Sequence, residues 1–596
     1  MVILGINDGH HAGAALVIDG VLVSAISEER LTRRKCEYGY PELAIAECLR
    51  LGGIGTKDID HVAVSTVSLP PKYFMTKRNT TFSIADYWRE QTDYWYPRIY
   101  ENREVKFVEV FSDKVESIDF PYDRSLIADE DDGIGMRKAR HKHIAQALGI
   151  SPGRISFEDH QTCHANYGYL CHPGRGKPLL IVTADGFGDG ANGSLWIAQP
   201  GQPLKALART GKCNIGRLYR YMTLLLGMKP NEHEYKVMGL APYANETVAK
   251  APYAVFKETL GVGGLDFSYD IQPKDHFFYF KDRLGACRFD GISHALQRFT
   301  EELLVEWIVN AVRHTGISDV AFSGGVALNV KANKLIAELD EVDSLFVAPG
   351  VNDECMPVGA AFTALVKLAA DSGRGLDELQ PFRSAYMGNR ATGAEIEKAL
   401  RSENLPAGCS VQKADVKQQA AVLASDGIMA RFDGGMEFGP RSLGNRAILA
   451  DPRNHETVRR INKAIKLRDF WMPFCPSILD RRAADYLVNP KGIDGRYMTV
   501  AFDSTESGRR DLPAALHPYD RTARPQIVTH GDNPGFFDLV QAFERETGVG
   551  CLLNTSFNIH GEPMVATPED ALNTFSRSGL RHLQIGNWLV TKAEND

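Results

Sequence analysis

The chain has 596 residues, of which 44% are hydrophobic and 24% are charged, the balance of an ordinary globular protein with about two to four domains. Its formal net charge of −7 argues against broad binding to nucleic acid or to a membrane surface. The ten cysteines form no C-x-x-C pair. Because the chain also has neither an apolar run of ~20 residues nor a signal peptide, we expect a reduced, cytoplasmic protein.

The first segments of the chain predict a strand, a turn and a hairpin. Residues 2–6 are apolar and are followed by the turn residues 7–9. The apolar runs 13–17 and 21–26 then flank Asp19-Gly20, a two-residue hairpin signal. A strand, an Asp-Gly turn and a possible hairpin recur over residues 180–207. The repeat predicts a duplicated α/β unit of the actin-like kind, in which paired Gly-rich turns hold phosphate.

Two histidines stand one helical turn apart, at His160 and His164. On a helix, residues i and i+4 share a face, so both imidazoles can bind one metal ion. Asp185 ends the next apolar strand, and Asp353 again stands between a strand and a helix. Together these four residues predict a site for a divalent transition metal. From the sequence alone, a pair of partly buried histidines bonded to the backbone is the alternative.

A glycine pair, Gly324 and Gly325, follows the apolar run 320–323 at the start of a predicted helix. Paired glycines expose backbone N–H groups and let a ligand approach closely, although tight helix–strand packing would also explain them. Helices are predicted over residues 395–401 and 416–424, and a strand over 428–432.

Small and polar residues predict a domain boundary within 368–385, which gives domains 1–375 and 385–596. The first domain carries an insertion near 70–130, in which residues 72–106 interleave aromatic and charged side chains. Such an insertion can line a substrate mouth, contact a second copy of the chain in a homodimer, or simply pack.

Cations, glycines and hydroxyl groups are concentrated in the C-terminal domain. They occur in residues 434–446, 463–468, 522–526 and 553–558. Fixed cations on a Gly-rich backbone predict a site for phosphate or another anion. A solvated basic face is the alternative, which the neighbouring Gly, Pro and aromatic residues disfavour. The cations in these segments include Arg441, Arg446, Lys463, Lys466, Arg468 and Arg524, and Ser556 supplies a hydroxyl group.

Motifs spread in order along the whole chain make the sequence resemble the O-carbamoyltransferases of the NodU/CmcH type. The motifs are Gly-His-His-Ala-Gly-Ala-Ala at 9–15, Ser-Glu-Glu-Arg at 27–30, the His160 and His164 pair, Asp-Gly at 185–186, Lys-Val-Met-Gly-Leu at 236–240, Gly-Gly-Val at 324–326, Gly-Pro-Arg-Ser-Leu-Gly at 439–444 and Leu-Asn-Thr-Ser-Phe-Asn at 553–558. The resemblance implies an α/β protein with two fused domains. The N-terminal domain is expected to be actin-like, duplicated and RNase H-like, similar to the metal-dependent enzyme of threonylcarbamoyladenosine tRNA modification. The C-terminal domain is expected to be a YrdC-like α/β domain.

The resemblance also implies a reaction in two steps. The C-terminal domain would form carbamoyl adenylate from carbamoyl phosphate and ATP with Mg²⁺. The N-terminal domain, with Fe²⁺ or another divalent transition metal, would transfer the carbamoyl group to a hydroxyl of a small natural product of the antibiotic or toxin class. No nucleic acid or membrane partner is expected.

Roles for individual residues follow from the same resemblance. His10 matches the general base for the acceptor hydroxyl, and His160, His164, Asp185 and Asp353 match the metal ligands. The residues in the nucleotide-holding motifs of the N-terminal domain are Lys236, Gly324, Gly325 and Asn329. Those in the carbamoyl phosphate and ATP motifs are Arg441, Arg446, Lys466, Arg468, Arg524 and Ser556. Two departures stand out: His10-His11 replaces the usual His-Asp pair, and Met472 replaces a common arginine.

Two other functions compete with this interpretation. An actin-like, ATP-dependent kinase or phosphohydrolase explains the Gly-rich turns but gives no role to the histidine pair or the C-terminal half. A tRNA-modification fusion predicts a basic surface, which a net charge of −7 and a pI near 6.2 disfavour.

Overall fold

The computed structural model describes residues 1–371, 373, 375, 376, 379, 381–401, 405, 408–425 and 427–593, and these form two compact units. Unit 1 comprises Met1–Thr32 and Cys36–Arg383, and unit 2 comprises Arg33–Lys35 and Ser384–Asp596. Within the predicted boundary region, residues 372, 374, 377, 378 and 380 lie outside the described residues, as do 594–596 at the end of the C-terminal domain. In the described part of the chain, no helix combines the length and the apolar character needed to cross a membrane.

Unit 1 contains two five-stranded sheets, and both sheets have the same strand order and strand directions. The first sheet comprises β1 (Val2–Asn7), β2 (Gly13–Ile18), β3 (Val21–Ser27), β4 (His61–Ser65) and β5 (Ile155–Glu158). Its order is β3-β2-β1-β4-β5; β1 and β3 are antiparallel to β2, whereas β1, β4 and β5 are parallel. The strand, turn and hairpin predicted for residues 2–26 are confirmed.

The second sheet repeats this order and these directions. The chain forms β6 (Leu179–Gly188), β7 (Ala191–Ala198) and β8 (Lys205–Thr210), then a separate hairpin, β9 (Leu260–Gly263) and β10 (Asp266–Tyr269), and finally β11 (Asp319–Ser323) and β12 (Ser344–Phe346). The order is β12-β11-β6-β7-β8, with β6, β11 and β12 parallel and the β6–β7–β8 pairs antiparallel. Unit 1 is therefore built from a duplicated α/β arrangement.

The helices of unit 1 fall between and around these strands. The α-helices are Glu29–Thr32, Glu42–Gly52, Pro71–Thr76, Arg78–Thr81, Ile84–Arg89, Tyr96–Tyr100, Phe107–Val110, Ser112–Val115, Gly133–Leu148, His160–Cys171, Ile215–Leu225, Glu234–Leu240, Glu246–Lys257, Phe278–Leu284, Phe289–Thr315, Val330–Glu338 and Met356–Asp371. The 3₁₀ turns are Thr56–Asp58, Arg124–Leu126, Pro152–Arg154, Ala241–Tyr243, Gly325–Leu328 and Asp353–Cys355, and Glu90–Trp95 is a π-helical segment.

Two buried helices pack against each other in the core of unit 1. The helix His160–Cys171 lies on β6, β7 and β11, whereas Met356–Asp371 lies on β1, β2, β4 and β5. Both helices are buried almost all round, as expected of helices enclosed by a core. They approach closely because Gly359 has no side chain: a Cβ atom there would lie 2.4 Å from the carbonyl oxygen of Cys163.

The aromatic insertion forms a small core of its own within unit 1. Phe82, Tyr87 and Tyr94 pack with Phe107, Phe111, Leu224, Phe277 and Phe278. The buried ammonium group of Lys72 donates a hydrogen bond of 3.0 Å to the hydroxyl of Tyr94. Four aromatic residues of segment 72–106 are buried, and two are exposed, Tyr96 at 40% and Tyr100 at 41%. The buried four are Phe74, Phe82, Tyr87 and Tyr94.

Unit 2 is built on one mixed sheet. Its strands are β13 (Ser410–Lys413), β14 (Ile428–Phe432), β15 (Arg446–Ala450), β16 (Cys475–Leu479), β17 (Leu487–Val488), β18 (Asp503–Ser504), β19 (Gln526–Val528), β20 (Cys551–Ser556), β21 (His582–Ile585) and β22 (Trp588–Thr591). In the described residues, eight of them form a sheet in the order β13-β22-β21-β14-β15-β20-β16-β19, and β17 pairs with β18.

Helices cover both faces of this sheet. Alternate residues of β14 and β15 point to opposite faces, so Ala430 and Ile448 join one buried cluster and Met429 and Leu449 join another. The α-helices of unit 2 are Gly393–Leu400, Val416–Ser425, Glu456–Ile461, Ala483–Tyr486, Glu506–Asp511, Pro534–Thr547 and Pro568–Ser576; Asp480–Arg482 and Pro513–Ala515 are 3₁₀ turns, and Asn462–Lys466 is π-helical.

Candidate metal centre and anion site

The structure brings the four predicted metal ligands together at the carboxyl ends of the parallel strands of unit 1. His160 and His164 occupy the first turns of one core helix, Asp185 lies in β6, and Asp353 precedes the other core helix. One ligand atom from each residue lies within 4.8 Å of all the others. His160 Nε2 is 3.0 Å from Asp185 Oδ2 and 3.8 Å from Asp353 Oδ1, and His164 Nε2 is 3.6 Å from Asp353 Oδ1.

Two atoms of this cluster are buried without a hydrogen-bond partner. They are Nε2 of His164 and Oδ1 of Asp353, the two atoms that face each other at 3.6 Å. A buried polar atom left unpaired costs about 1–3 kcal/mol, so such atoms in a native site call for a ligand. Two imidazole nitrogens and two carboxylates are a donor set that suits a divalent transition metal, and the cluster therefore fits the predicted metal.

Neighbouring groups hold the ligands in these orientations. Nδ1 of His160 is 2.9 Å from the hydroxyl of Thr66, and Nδ1 of His164 is 3.4 Å from Cys355 Sγ. The backbone N–H of Gly325 donates to Asp185 Oδ1 at 3.0 Å. With each Nδ1 engaged elsewhere, each histidine turns Nε2 toward the cluster, which is how surrounding residues usually orient metal-binding histidines.

The electrostatics of the cluster favour charged carboxylates beside a proton-binding histidine. Burial by itself lowers the pKa of His160, but the hydrogen bond that His160 Nε2 donates to Asp185 and the charge of Asp353 raise it to about 9. Burial raises the pKa of Asp185, yet the two histidines and the Gly325 N–H hold it well below its usual range. In the absence of a metal the site therefore holds a proton that a cation would displace.

His10 lies beside the cluster. The side chain of Asn7 donates hydrogen bonds to the carbonyl oxygens of His10, at 2.6 Å, and Asp353, at 3.4 Å. Burial, followed by the neighbouring His11, lowers the pKa of His10 well below its usual value, so its imidazole is neutral at neutral pH. Nδ1 of His10 is 2.6 Å from the side-chain nitrogen of Asn79, which comes from the aromatic insertion.

A buried ion pair fixes the turn that carries His10. Arg140 and Asp8 are both fully buried, and Nε of Arg140 lies 2.9 Å from Asp8 Oδ2. The same guanidinium donates to the carbonyl oxygens of Ser65 and Thr66, at 3.1 Å and 2.9 Å. Because these contacts join the loops after β1 and β4, they position both His10 and the Thr66 hydroxyl that contacts His160.

Of the predicted nucleotide-binding residues of unit 1, the two glycines lie beside Asp185 and its neighbour Ala184. Gly325 is bonded to Asp185, and Gly324 (φ 94°) adopts a left-handed backbone, where a Cβ would lie 2.2 Å from the Ala184 carbonyl oxygen. Asn329 is engaged otherwise: its side chain caps the helix Val330–Glu338 and exchanges hydrogen bonds with Gln297. Lys236 lies in the helix Glu234–Leu240.

In unit 2, three of the predicted anion-binding residues meet at the end of β20. The ammonium of Lys466 donates to Ser556 Oγ at 3.1 Å and to Asn558 Oδ1 at 2.7 Å. Arg468 donates to Thr555 Oγ1 at 2.9 Å. Burial, followed by the charge of Arg468, lowers the pKa of Lys466 well below its usual value, so an anion bound here would favour its charged form.

The other predicted cations of unit 2 have different surroundings. Arg446 is fully buried, and its two terminal nitrogens donate to the carbonyl oxygens of Asp433, Asn445, Asn389 and Gly434. Nε and Nη2 of Arg524 lie 3.3 Å and 2.9 Å from Cys475 Sγ. Arg441 is half-buried. An anion-binding role for these three arginines stays a prediction.

Several neighbours of the site were not singled out from the sequence. Thr66 and Asn79 contact the two key histidines, and Thr555 and Asn558 contact the cations of unit 2. The last two stand in the motif 553–558, and Thr66 follows the apolar run of β4, a position where functional residues collect. No pattern in the sequence around Asn79 indicates its contact with His10.

Two family models match the chain, one after the other along the sequence. "Carbamoyltransferase N-terminus" matches residues 2–362, and "Carbamoyltransferase C-terminus" matches residues 420–592. The nodulation protein NolNO of Sinorhizobium fredii is 30% identical over 598 residues, which cover 98% of this chain and 79% of NolNO. An uncharacterized protein of Methanocaldococcus jannaschii is 31% identical over 461 residues, 74% of each chain. The nodulation protein NolO of Bradyrhizobium diazoefficiens is 31% identical over 422 residues, 69% of this chain and 75% of NolO.

Proposed function

Because the chain belongs to the carbamoyltransferase family and is therefore a carbamoyltransferase, we propose that it is an ATP-dependent O-carbamoyltransferase with two catalytic sites. Unit 2, a YrdC-like domain in this proposal, makes carbamoyl adenylate from carbamoyl phosphate and ATP with Mg²⁺. Unit 1, an actin-like domain, transfers the carbamoyl group to a hydroxyl of a small natural product of the antibiotic or toxin class.

The observation that carries the proposal is the cluster of His160, His164, Asp185 and Asp353 inside the region that matches the family's N-terminal description. Its two unpaired buried atoms and its mixed donor set support Fe²⁺ or another divalent transition metal as the resident ion. A metal held there would act as a Lewis acid toward an oxygen of the carbamoyl donor.

The adenylate-forming step needs cations that neutralise phosphate groups. In unit 2, Lys466 and Arg468 lie beside the hydroxyls of Ser556 and Thr555, and Arg441 stands in the preceding Gly-rich segment. Water would attack the phosphorus of carbamoyl phosphate, the bond from phosphorus to the carbamoyl oxygen would break, and inorganic phosphate would leave. An oxygen of the released carbamate would then attack the α-phosphorus of ATP. Pyrophosphate leaves with the electron pair of the broken P–O bond. Fixed cations stabilise this reaction because charge builds up on the phosphate oxygens.

The transfer step belongs to unit 1 in this proposal. The acceptor hydroxyl oxygen attacks the carbamoyl carbon, the bond from that carbon to the phosphate oxygen breaks, and AMP leaves. His10 lies beside the cluster and is neutral, so it can exchange hydrogen bonds with the reacting groups. Lys236, Gly324, Gly325 and Asn329 are proposed to hold the nucleotide part of the donor.

The two half-reactions can be separated by substitution. With carbamoyl phosphate, ATP, Mg²⁺ and Fe²⁺, the wild-type protein should release pyrophosphate. Arg441→Ala should abolish this release, whereas His10→Ala should retain it and lose transfer to an acceptor. Arg510→Ala is the matched control, because the Arg510 side chain is 69% exposed and lies in the same unit.

Two results would contradict the proposal. Release of ADP in place of AMP and pyrophosphate would indicate the kinase or phosphohydrolase alternative. Loss of pyrophosphate release in His10→Ala without any acceptor would remove the separation of the two steps. The metal assignment is tested by elemental analysis: equal metal content in the wild type and in His160→Ala/His164→Ala would refute it.

A further inference from the structure

The aromatic insertion supplies the hydrogen-bond partner of His10. Residue 11, which follows His10 directly, is a second histidine and not a carboxylate that could accept a hydrogen bond from the ring. In the structure the side-chain nitrogen of Asn79 lies 2.6 Å from Nδ1 of His10. Asn79 is 7% exposed and sits in the short helix Arg78–Thr81 at the start of the insertion.

The surroundings of Asn79 determine which end of its amide faces His10. Its Oδ1 accepts hydrogen bonds from the Tyr87 hydroxyl at 3.0 Å and from Asn231 Nδ2 at 3.1 Å. Nη1 of Arg78 also lies 3.4 Å from this atom. A guanidinium only donates, so the atom it meets must be the amide oxygen, and the NH₂ group must face His10.

Asn79 is also firmly anchored. The adjacent Arg78 is buried and donates to Glu90 Oε2 from Nε at 2.8 Å and from Nη2 at 2.5 Å. Glu90 is itself buried and begins the π-helical segment Glu90–Trp95, a kind of local distortion that often accompanies functional sites. The core of the insertion therefore fixes the amide in place.

An amide NH₂ group can only donate a hydrogen bond, so Nδ1 of His10 must be the acceptor and carries no proton. Neutral imidazole has one proton, which is then on Nε2. We infer that Asn79 is a positioning residue that holds neutral His10 as its Nε2–H form, so that His10 donates a hydrogen bond to the carbonyl oxygen of the carbamoyl group during transfer. The chemical step rests on the proposed function; the position of the proton does not.

This assignment replaces the general-base role that the family resemblance implies. A ring with its proton on Nε2 has no free electron pair there to accept the proton of the acceptor hydroxyl. It can instead stabilise the negative charge that develops on the carbonyl oxygen, as neutral histidines do in other enzymes. The hydroxyl oxygen attacks the carbamoyl carbon, the C–O bond to phosphate breaks, and the hydroxyl proton passes to the departing phosphate of AMP.

The position of the proton can be observed without any reaction. Neutron diffraction from crystals of the deuterated 596-residue chain should show a deuteron on Nε2 of His10 and none on Nδ1. In Asn79→Asp, a carboxylate oxygen replaces the NH₂ group and should draw the deuteron to Nδ1. A deuteron on Nδ1 of His10 in the wild type would overturn the inference, whether or not the protein transfers carbamoyl groups.

The kinetic test replaces the amide NH₂ group that faces His10 with a carboxylate oxygen. Asn79→Asp should keep the hydrogen bonds from Tyr87 and Asn231, so the protein should fold. The substitution should move the proton of His10 to Nδ1 and leave Nε2 free to act as a base. We expect transfer kcat to fall by about 10²–10⁴-fold, the scale of a wrong histidine tautomer, with acceptor KM within about threefold. Asn102→Asp, at an exposed position of the same insertion, controls for the added charge. Unchanged or faster transfer in Asn79→Asp would refute the inference.

His10→Gln provides an independent check, because glutamine can donate through an N–H but cannot act as a base. His10→Ala should lower transfer by about 10²–10³-fold, the usual cost of removing one donor to a developing oxyanion. Transfer by His10→Gln should be at least about tenfold faster than transfer by His10→Ala. Pyrophosphate release should be unchanged in both variants. Equal, complete loss of transfer in His10→Gln and His10→Ala would mean that His10 acts as a base. Absence of transfer in the wild type would refute the proposed function and leave the neutron result to decide the position of the proton.

Discussion

A methyl group added at Gly359 should disturb the metal centre from a distance. Gly359 lies in the core helix Met356–Asp371, which follows Asp353 directly and packs against the helix that carries His160 and His164. In Gly359→Ala the new Cβ would lie 2.4 Å from the carbonyl oxygen and 2.8 Å from the carbonyl carbon of Cys163. Because both are backbone atoms, the helices must move apart.

The size of the effect follows from two opposing terms. Alanine in place of glycine within a helix stabilises it by about 1 kcal/mol. Overpacking a close contact costs about 1–3 kcal/mol, and relief to an ordinary contact requires a shift of about 1 Å. Metal–ligand distances vary by only about 0.2 Å in a working site. A shift of about 1 Å between His164 and Asp353 should therefore weaken metal affinity by about 10–100-fold.

Metal titration followed by calorimetry, together with thermal unfolding with and without metal, tests this expectation. Gly393→Ala is the control, because a Cβ at Gly393, near the start of another helix, meets nothing within 4 Å. If Gly359→Ala binds metal as tightly as the wild type and unfolds at a higher temperature, the gain in helix propensity is the whole effect and the two helices do not need to move apart.

Three further outcomes are expected. Arg140→Met should lower the free energy of unfolding by about 3–5 kcal/mol in urea titrations, because it leaves the Asp8 carboxylate buried without its partner. Metal affinity, measured by competition with a chelator, should rise about tenfold per pH unit below pH 9, because the metal displaces the proton that His160 holds with a pKa of about 9. By linkage, that proton stabilises the metal-free protein below pH ~6.5, and the stabilisation disappears as the pH rises through about 9. Lys466→Met should raise the KM for carbamoyl phosphate at least about tenfold, whereas Lys463→Met, at a neighbouring exposed position, should not.

The sequence predicts the parts of this fold that depend on local patterns. Apolar runs and an Asp-Gly turn locate β1, β2 and β3, and the strand predicted at residues 428–432 is observed as Ile428–Phe432. The spacing of His160 and His164 and the strand-end position of Asp185 group these side chains, and the structure places one candidate ligand atom of each within 4.8 Å of the others. These predictions succeed because helix periodicity and strand ends fix where neighbouring side chains point.

Contacts between distant segments could not be predicted in this way. Asn79 reaches His10 only because the insertion folds on its own aromatic core, and no local pattern encodes that path. The motif around Arg446 indicated a cation but not its environment: the surrounding carbonyl oxygens take up its terminal N–H groups. Its role in binding an anion stays a prediction, because tertiary packing decides whether a buried cation faces a ligand or the backbone.

The central claim is ATP-dependent transfer of a carbamoyl group to a hydroxyl. The most direct measurement incubates the purified protein with isotope-labelled carbamoyl phosphate, ATP, Mg²⁺, Fe²⁺ and a panel of hydroxylated natural products, and follows each product by mass spectrometry. For this reaction we expect one acceptor to gain a single labelled carbamoyl group, only when ATP is present, and AMP to form in equal amount. A phosphorylated acceptor formed together with ADP, or carbamoyl transfer that proceeds without ATP, would contradict it.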